Sequence, residues 1–236
     1  MSKPERTIRL VLPDTGPLIS LARANALGLL LVFRENVRIV ITDFVEFEVT
    51  RNRDRFPDGK VIADFLTKHS SRIEIQQTQI GQHAKADALA LERFESDPNY
   101  REALIALDRV PRPLADNIGE QSISSFAKSL INDPPGPPVL ILAEDEYFIR
   151  NTGGDPTHAP GNPTNAHLLS THAFINTLGK LGKIADTDAI WNLMKARRAD
   201  INSHMFDLQA EKIATNWADA IDDEKAGQFE WTPPKA

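Results

Sequence analysis

The sequence predicts an α/β fold in which a mostly parallel β-sheet is covered by helices on both faces. Five short apolar runs, each bounded by turn or helix-capping residues, are typical of strands. Helical patterns lie between these runs, and strands that alternate with helices need crossover connections, which set the strands parallel. A chain of 236 residues is long enough to bury a full core, as one domain with extensions or as two small domains.

The elements follow from local patterns along the chain. A first helix is expected after Asp14-Thr15-Gly16-Pro17, because proline is tolerated in a first helical turn. A second helix starts near Thr42-Asp43, and later helices are predicted over Thr171–Leu181 and Asp186–Arg198. The predicted strands are Thr7–Leu12, Val37–Ile41, Arg72–Gln76, Val139–Ala143 and Ala166–Leu169.

Two regions extend this alternating core. Residues 80–113 add a helical insertion after the third strand, within a main domain that spans about residues 1–200. Residues 201–236 form a C-terminal tail, and part of it is predicted to be an amphipathic helix. Its apolar stripe must be buried, either on the body of the domain or in a homodimer. The stripe consists of Phe206, Ala210, Ile213, Trp217 and Ile221.

Composition excludes several classes of protein. The chain has no cysteine, so disulfides, zinc–thiolate sites and thiol catalysis are excluded. No apolar run reaches the ~18 residues of a membrane span, and the N-terminus lacks the arrangement of a signal peptide. We therefore expect a cytoplasmic protein with no membrane partner. The net charge of −6 argues against binding nucleic acid through a broad basic face.

Acidic residues gather where a ligand site is expected. Asp14 follows the first strand, Glu144 and Asp145 follow the fourth, Glu48 lies on the second helix, and Glu120 opens the helix before the fourth strand. In a doubly wound sheet, ligands bind at the carboxyl ends of the strands. Carboxylates crowded together cost ~3–4 kcal/mol for each pair at ~4–5 Å, a cost that Mg²⁺ or Mn²⁺ would relieve. Carboxylate-held metals of this kind serve phosphodiester hydrolysis.

Each acid also has a structural alternative. Asp14 could cap the first helix, Glu48 could be a solvated helix residue, and Glu120 could favour a helix N-terminus through the macrodipole. Asp145 is the hardest to explain structurally, because it directly follows an apolar strand. The combination indicates a site more strongly than any one member does.

The acids lie in a series of short motifs. These motifs are Leu10-Val-Leu-Pro-Asp14-Thr15, Val45-Glu-Phe-Glu48-Val49, Glu120-Gln-Ser-Ile123-Ser-Ser-Phe-Ala127 and Ala143-Glu-Asp145-Glu-Tyr-Phe148. In their order and placement they resemble the PIN-domain family of metal-dependent ribonucleases. The resemblance covers about Ile8 to Ile184 and includes the segments 170–174 and 179–184, with Ala143 standing where the family motif has a hydroxyl residue.

This resemblance implies a three-layer fold with a five-stranded parallel sheet in the order 3-2-1-4-5. It implies an endoribonuclease in which a metal-activated water cleaves RNA, and it allows the role of toxin in a toxin–antitoxin pair, with an antitoxin protein as partner. Thr15 would bond the Asp14 carboxylate or a metal-bound water, and the other auxiliary residues would be Asp116, Glu144 and Thr171. The implied Mg²⁺ or Mn²⁺ ligands, which are also the catalytic residues, are Asp14, Glu48, Glu120 and Asp145.

Three arginines, Arg51, Arg53 and Arg55, follow Glu48 closely and could grip RNA phosphates. A solvated basic turn is the alternative interpretation of the same residues.

Two other functions compete with cleavage. A phosphoacceptor receiver domain would need an Asp after the third strand and a Lys after the fifth, and neither is present. A catalytically inactive PIN-like scaffold that binds protein or RNA is the more serious alternative. Metal-dependent cleavage of RNA by the purified protein would distinguish it from a nuclease.

Overall fold

The computed structural model describes residues 8–51, 57–130, 139–144, 166–197 and 217–234. At its centre is a five-stranded sheet in which every pairing is parallel. The strand order is β3-β2-β1-β4-β5, so both the predicted parallel sheet and its implied order are confirmed. The strands are β1 (Leu10–Pro13), β2 (Arg38–Thr42), β3 (Ile73–Gln76), β4 (Val139–Leu142) and β5 (Ala166–Leu169).

Helices connect and cover these strands. One of them, over Pro57–Lys68, did not emerge from the sequence pattern, because Pro57-Asp58-Gly59 is typical of a turn. It forms because Ile62 and Leu66 are buried in the main core. The helices are α1 (Thr15–Arg23), α2 (Asp43–Thr50), α3 (Pro57–Lys68), α4 (Gln79–Ser96), α5 (Pro98–Ala106), α6 (Ile118–Ser129), α7 (Thr171–Lys180), α8 (Thr187–Arg197) and α9 (Asp223–Gly227).

The core surrounds the sheet. Every residue of β1 and β4 is buried, as expected for central parallel strands that have helices on both faces. Strand β3 lies at the edge, and its Glu74 and Ile75 are exposed. None of the helices among the described residues is both long and apolar enough to cross a bilayer.

The helical insertion is present as a pair of helices, α4 and α5. Thr78 caps α4 by accepting a hydrogen bond from the Gly81 amide, and Asp97 caps α5 by accepting from the Asn99 and Tyr100 amides. Helix α4 packs against α2 and α6. Helix α5 buries none of its residues. The insertion therefore joins the domain through α4.

The C-terminal stripe is only partly within the described residues, because Phe206, Ala210 and Ile213 lie outside them. Trp217 is fully buried, and its ring lies 5.4 Å from the Phe174 ring. Ile221 is also buried, but it forms a short antiparallel bridge with Phe33 instead of a further helical turn. These two residues thus pack on the body of their own domain.

Residues 217–234 also form polar contacts with residues 24–34, which lie between α1 and β2. The Arg34 amide donates to the Ala220 carbonyl at 2.9 Å. The Trp231 indole donates to the Ala24 carbonyl at 2.8 Å. Helix α1 starts at the edge of the sheet where the strands have their carboxyl ends, and it runs antiparallel to them toward the edge with their amino ends. The C-terminal segment, which contacts the chain beyond α1, therefore lies toward this amino edge.

Candidate active site

The carboxyl ends of the parallel strands share one edge of the sheet. There the Asp14 amide donates to the Leu142 carbonyl at 2.9 Å, which aligns the end of β1 with the end of β4. Strand order reverses between β1 and β4, so Asp14 and Glu144 follow the two strands that border the switch point. Ligands of open α/β sheets bind at this place.

Asp14 is buried, with 3% of its surface exposed. It occupies the position before α1 in an extended conformation, but its side chain accepts no capping hydrogen bond. Asp14 is therefore the N-cap residue of α1 by position, as the structural alternative proposed, but not by a side-chain hydrogen bond. Its carboxylate is held at the end of a central strand, where backbone hydrogen bonds on both sides of β1 leave it little freedom to move.

Glu48 meets α1 through a hydrogen bond. The Thr15 hydroxyl donates to Glu48 Oε2 at 2.7 Å, whereas the family resemblance implied that Thr15 would bond Asp14 or a water. Protein atoms around the carboxyl raise the pKa of Glu48 above its ordinary value, while the Thr15 hydrogen bond and the charge of Arg51 act to lower it. The net rise in pKa means that burial of the Glu48 carboxyl disfavours its ionised form.

Gly119, in the first turn of α6, lies beside both the Asp14 and the Glu48 carboxylates. A Cβ atom at Gly119 would lie 2.8 Å from Glu48 Oε2 and 3.5 Å from Asp14 Oδ1. The two oxygens are therefore no farther apart than the sum of these distances. Two hydrogen bonds hold the turn in place, because Ser122 Oγ donates to the Gly119 carbonyl and also pairs with Thr42 Oγ1, both at 2.6 Å.

The remaining predicted ligands are less closely joined. Glu120 follows Gly119, is half-buried and shares a helix face with Ile123, whereas Asp116 is exposed in the turn before α6. Asp145 lies outside the described residues. Among the residues that the structure describes, no three carboxylate or imidazole groups lie close enough to hold a metal ion. The pair formed by Asp14 and Glu48 is thus the part of the predicted cluster that the structure brings together.

Glu144 has a different environment. Its carboxylate is buried and accepts hydrogen bonds from the Ser20 hydroxyl at 2.9 Å and from the buried Thr171 hydroxyl. These contacts tie the end of β4 to α1 and to α7. Thr15 and Ser20 are five residues apart on α1 and so lie on different faces of it, which places Glu48 and Glu144 on different sides of that helix. Ser20 was not among the predicted site residues.

A third buried carboxylate at this edge was missed. Asp43, which directly follows β2, is fully buried and accepts from the Thr78 amide and hydroxyl, both at 3.0 Å. Lys85 forms an ion pair with it at 3.0 Å. A Cβ atom at Gly81 would lie only 2.2 Å from Asp43 Oδ1, so α4 passes directly over this acid. The signal was present in the sequence, because Asp43 follows an apolar strand as Asp14 and Asp145 do.

Of the predicted RNA-contacting arginines, Arg51 is within the described residues. It is exposed at the end of α2, with its guanidinium 5.6 Å from the centre of the Phe47 ring. Its charge also acts on the Glu48 carboxyl. Arg53 and Arg55 lie outside the described residues.

The geometry around Gly119 fits a small divalent cation. Two carboxylates face one point that carries no side chain of its own. Mg²⁺ is commonly held by one or two carboxylates, with water and substrate phosphate filling its other positions. A cation there would also relieve repulsion between the acids. Asp14 and Glu48 therefore suit Mg²⁺ or Mn²⁺, with Glu120 next in the chain to Gly119.

Comparison of the chain with protein-family models, with curated proteins and with solved structures finds no match.

Proposed function

We propose that this protein is a metal-dependent endoribonuclease that hydrolyses RNA phosphodiester bonds at the carboxyl edge of its sheet. The observation that carries the proposal is the approach of Asp14 and Glu48 to one point beside Gly119. The resemblance to PIN-domain ribonucleases supports it, because both acids belong to the motifs behind that resemblance and the strand order agrees.

The residues of the site have distinct tasks under this proposal. Mg²⁺ or Mn²⁺, when bound, would supply Lewis-acid chemistry by polarising a phosphate oxygen and lowering the pKa of water. Asp14 provides a rigid ligand because it is buried at the end of a central strand. Thr15 orients Glu48, and Gly119 leaves space between the acids. Glu120 and Asp145 are the further ligands that the proposal includes.

The test is incubation of the purified protein with a panel of single-stranded and structured RNAs in Mg²⁺, Mn²⁺ or chelator. We expect cleavage that requires metal and leaves a 5′-phosphate and a 3′-hydroxyl, because in the proposed reaction water attacks the phosphorus and the bond to the 3′-oxygen breaks. A 2′,3′-cyclic phosphate would show attack by the RNA's own hydroxyl and would contradict the mechanism. Asp14→Asn should abolish cleavage, whereas the matched control Asp64→Asn, at an exposed position on α3, should cleave normally.

A non-cleaving scaffold that binds RNA or protein is the second candidate. The observation that favours it is that the described residues do not assemble three metal-binding groups. It predicts no cleavage with any divalent ion and RNA binding that is unchanged in Asp14→Asn. Retained cleavage in wild type together with its loss in Asp14→Asn would eliminate this candidate.

The narrower role of toxin in a toxin–antitoxin pair is also part of the proposal. Co-expression with the product of a neighbouring reading frame tests it, since an antitoxin should form a complex with this chain and suppress its cleavage of RNA.

A further inference from the structure

A cleft of about 510 Å³ lies between α4 and the segment that leads into α6. One wall is formed by α4, the other by residues 111–115, and Ile118 and Gln121 of α6 close one end. The cleft is separate from the carboxylates already described, since none of Asp14, Glu48 and Glu144 lines it. Its volume is within the usual range of small-molecule sites.

The floor of the cleft is packed and apolar. Ala84 and Ile118 are buried together with Phe44 in a small core of their own, and Ile80 and Leu114 pack against it. This core joins α2, α4 and α6, so the floor is fixed by the same helices that position Glu48 and Gly119. The cleft is therefore a preformed feature of the fold.

Polar groups stand above this floor. His83 and Asp87 lie one turn apart on α4, Arg112 projects from the opposite wall, and Gln121 lies at the end of the cleft. His83, Asp87 and Arg112 are exposed. Within the part of the chain that the structure describes, no ion pair engages Asp87 or Arg112. The cleft is therefore lined by an imidazole ring, a carboxylate, a guanidinium and a side-chain amide, which belong to His83, Asp87, Arg112 and Gln121.

The cleft adjoins the carboxylates through one turn of helix. Ile118 lines the cleft, and the next residue, Gly119, faces Asp14 and Glu48. A chain that passes the acids would therefore have the cleft within reach of its neighbouring unit.

We propose that this cleft binds one unstacked base of single-stranded RNA, next to the phosphate that the site cleaves. This inference rests on the proposed ribonuclease function. Single-stranded RNA is recognised by bases that stack on aromatic, histidine or arginine planes and hydrogen-bond along their edges. His83 and Arg112 supply the planes, and the apolar floor accepts the face of the base.

Asp87 determines which bases fit. A carboxylate only accepts hydrogen bonds, so it favours adenine, cytosine or guanine, each of which presents an amino group. Uracil presents a single N–H between two carbonyl oxygens, which the carboxylate repels. The cleft should therefore discriminate against uridine at one position of the substrate.

The experiment measures binding in chelator, where metal-dependent cleavage cannot occur. The probes are a fluorescent uridine hexamer and three fluorescent hexamers in which one central uridine is replaced by adenosine, cytidine or guanosine. Binding of each probe is measured by fluorescence anisotropy. Wild type should bind at least one amino-bearing hexamer about tenfold more tightly than the uridine hexamer. Asp87→Asn should lose that preference. If Asp87 acted through its charge alone, Asp87→Asn would strengthen binding of all four hexamers by the same factor and would leave the preference unchanged.

Matched controls isolate the cleft. Asp64→Asn removes the same charge from exposed α3 and should keep the base preference. Arg112→Gln should weaken binding of all four hexamers, whereas Arg109→Gln, three residues earlier and outside the cleft, should weaken it much less. Because Asp64, Asp87, Arg109 and Arg112 are all exposed, the four variants should unfold at about the same temperature as wild type.

The outcomes separate this inference from the proposed function. The proposed base-binding role would be overturned by equal binding of the four hexamers by wild type, by an unchanged preference in Asp87→Asn, or by equal effects of the two arginine variants. Failure to bind any hexamer, as expected if the cleft holds a peptide, would also overturn it. If wild type still cleaves RNA in Mg²⁺ in those cases, the nuclease proposal stands alone. Base-selective binding without cleavage in any metal would retain the cleft and reject the nuclease.

Discussion

Replacement of Gly119 by alanine separates stability from function at the candidate site. Gly119 is the second residue of α6, and an added Cβ atom would lie 2.8 Å from Glu48 Oε2. That contact is too close to persist, so one of the two groups must move. The Glu48 oxygen is the end of a flexible side chain, and it should yield before the helix does.

The expected change in stability is small because two effects oppose each other. Alanine is favoured over glycine within a helix by up to ~1 kcal/mol. The difference is smaller at a position as close to the helix N-terminus as Gly119. Displacement of Glu48 weakens its hydrogen bond with Thr15, which contributes ~0.5–1.5 kcal/mol. We therefore expect the free energy of unfolding of Gly119→Ala in chelator to lie within ~1 kcal/mol of wild type.

Metal binding should respond far more strongly. The displaced Glu48 carboxylate no longer faces the point that it shares with Asp14. Loss of an outer-shell partner alone typically costs ~10–100-fold in metal affinity or activity, so displacement of a proposed ligand should cost at least as much. The assay is titration with Mn²⁺ by calorimetry, in parallel with RNA cleavage and urea unfolding. Gly227→Ala is the matched control, because a Cβ atom at Gly227 in α9 meets nothing within 4 Å.

Two results would refute this reasoning. Wild-type Mn²⁺ affinity and cleavage in Gly119→Ala would show that the proximity of Asp14 and Glu48 is not used. A loss of several kcal/mol in stability would show that α6 cannot accept the methyl group, so that Gly119 is required for packing.

Three further predictions follow from single contacts. The pKa of Glu48 is raised in the folded state, so its contribution to stability is full at acidic pH and is lost as pH rises through the folded pKa. Glu48→Gln in chelator should therefore gain stability relative to wild type as pH rises above the ordinary glutamate pKa of 4.5, and a stability difference that does not change with pH would contradict this. Thr171→Val removes a donor to the buried Glu144 carboxylate and should lower the free energy of unfolding by ~1–3 kcal/mol in urea titrations. An unchanged free energy of unfolding would exclude a structural role for this hydrogen bond. Trp231→Phe should cost about 1 kcal/mol through the lost bond to Ala24 and leave cleavage unaffected, whereas reduced cleavage would connect the C-terminal segment to the site.

The sheet was predictable because its strands are buried on both faces. A continuous apolar run such as Val139–Leu142, too short for a helix and bounded by turn residues, is typical of a central parallel strand. The acids after these runs were equally visible, since parallel strands bring their carboxyl ends to one edge. Helix α3 was not visible, because its opening residues favour a turn and its packing against α1 and α2 overrides them.

Side-chain pairing within the site could be predicted only in part. The participation of Thr15 was expected, but its choice of Glu48 over Asp14 depends on how α1 and α2 pack together. The position of Asp43 after an apolar strand was visible in the sequence, but its partners Thr78 and Lys85 were not, because they are more than 30 residues away in the chain. Local sequence patterns carry no information on contacts of that range.

The contact between residues 217–234 and the chain just after α1 affects the order of folding. The Trp231–Ala24 bond joins residues 207 positions apart, so closing this loop carries a large entropic cost that only a nearly formed domain can offset. This segment also leaves the ribosome after every strand of the sheet. The carboxyl edge with its acids can therefore assemble first, while the amino edge closes last. A nascent chain would pass through a stage in which the Phe33 and Phe174 region is still uncovered, and this stage is where aggregation or chaperone binding would compete with folding.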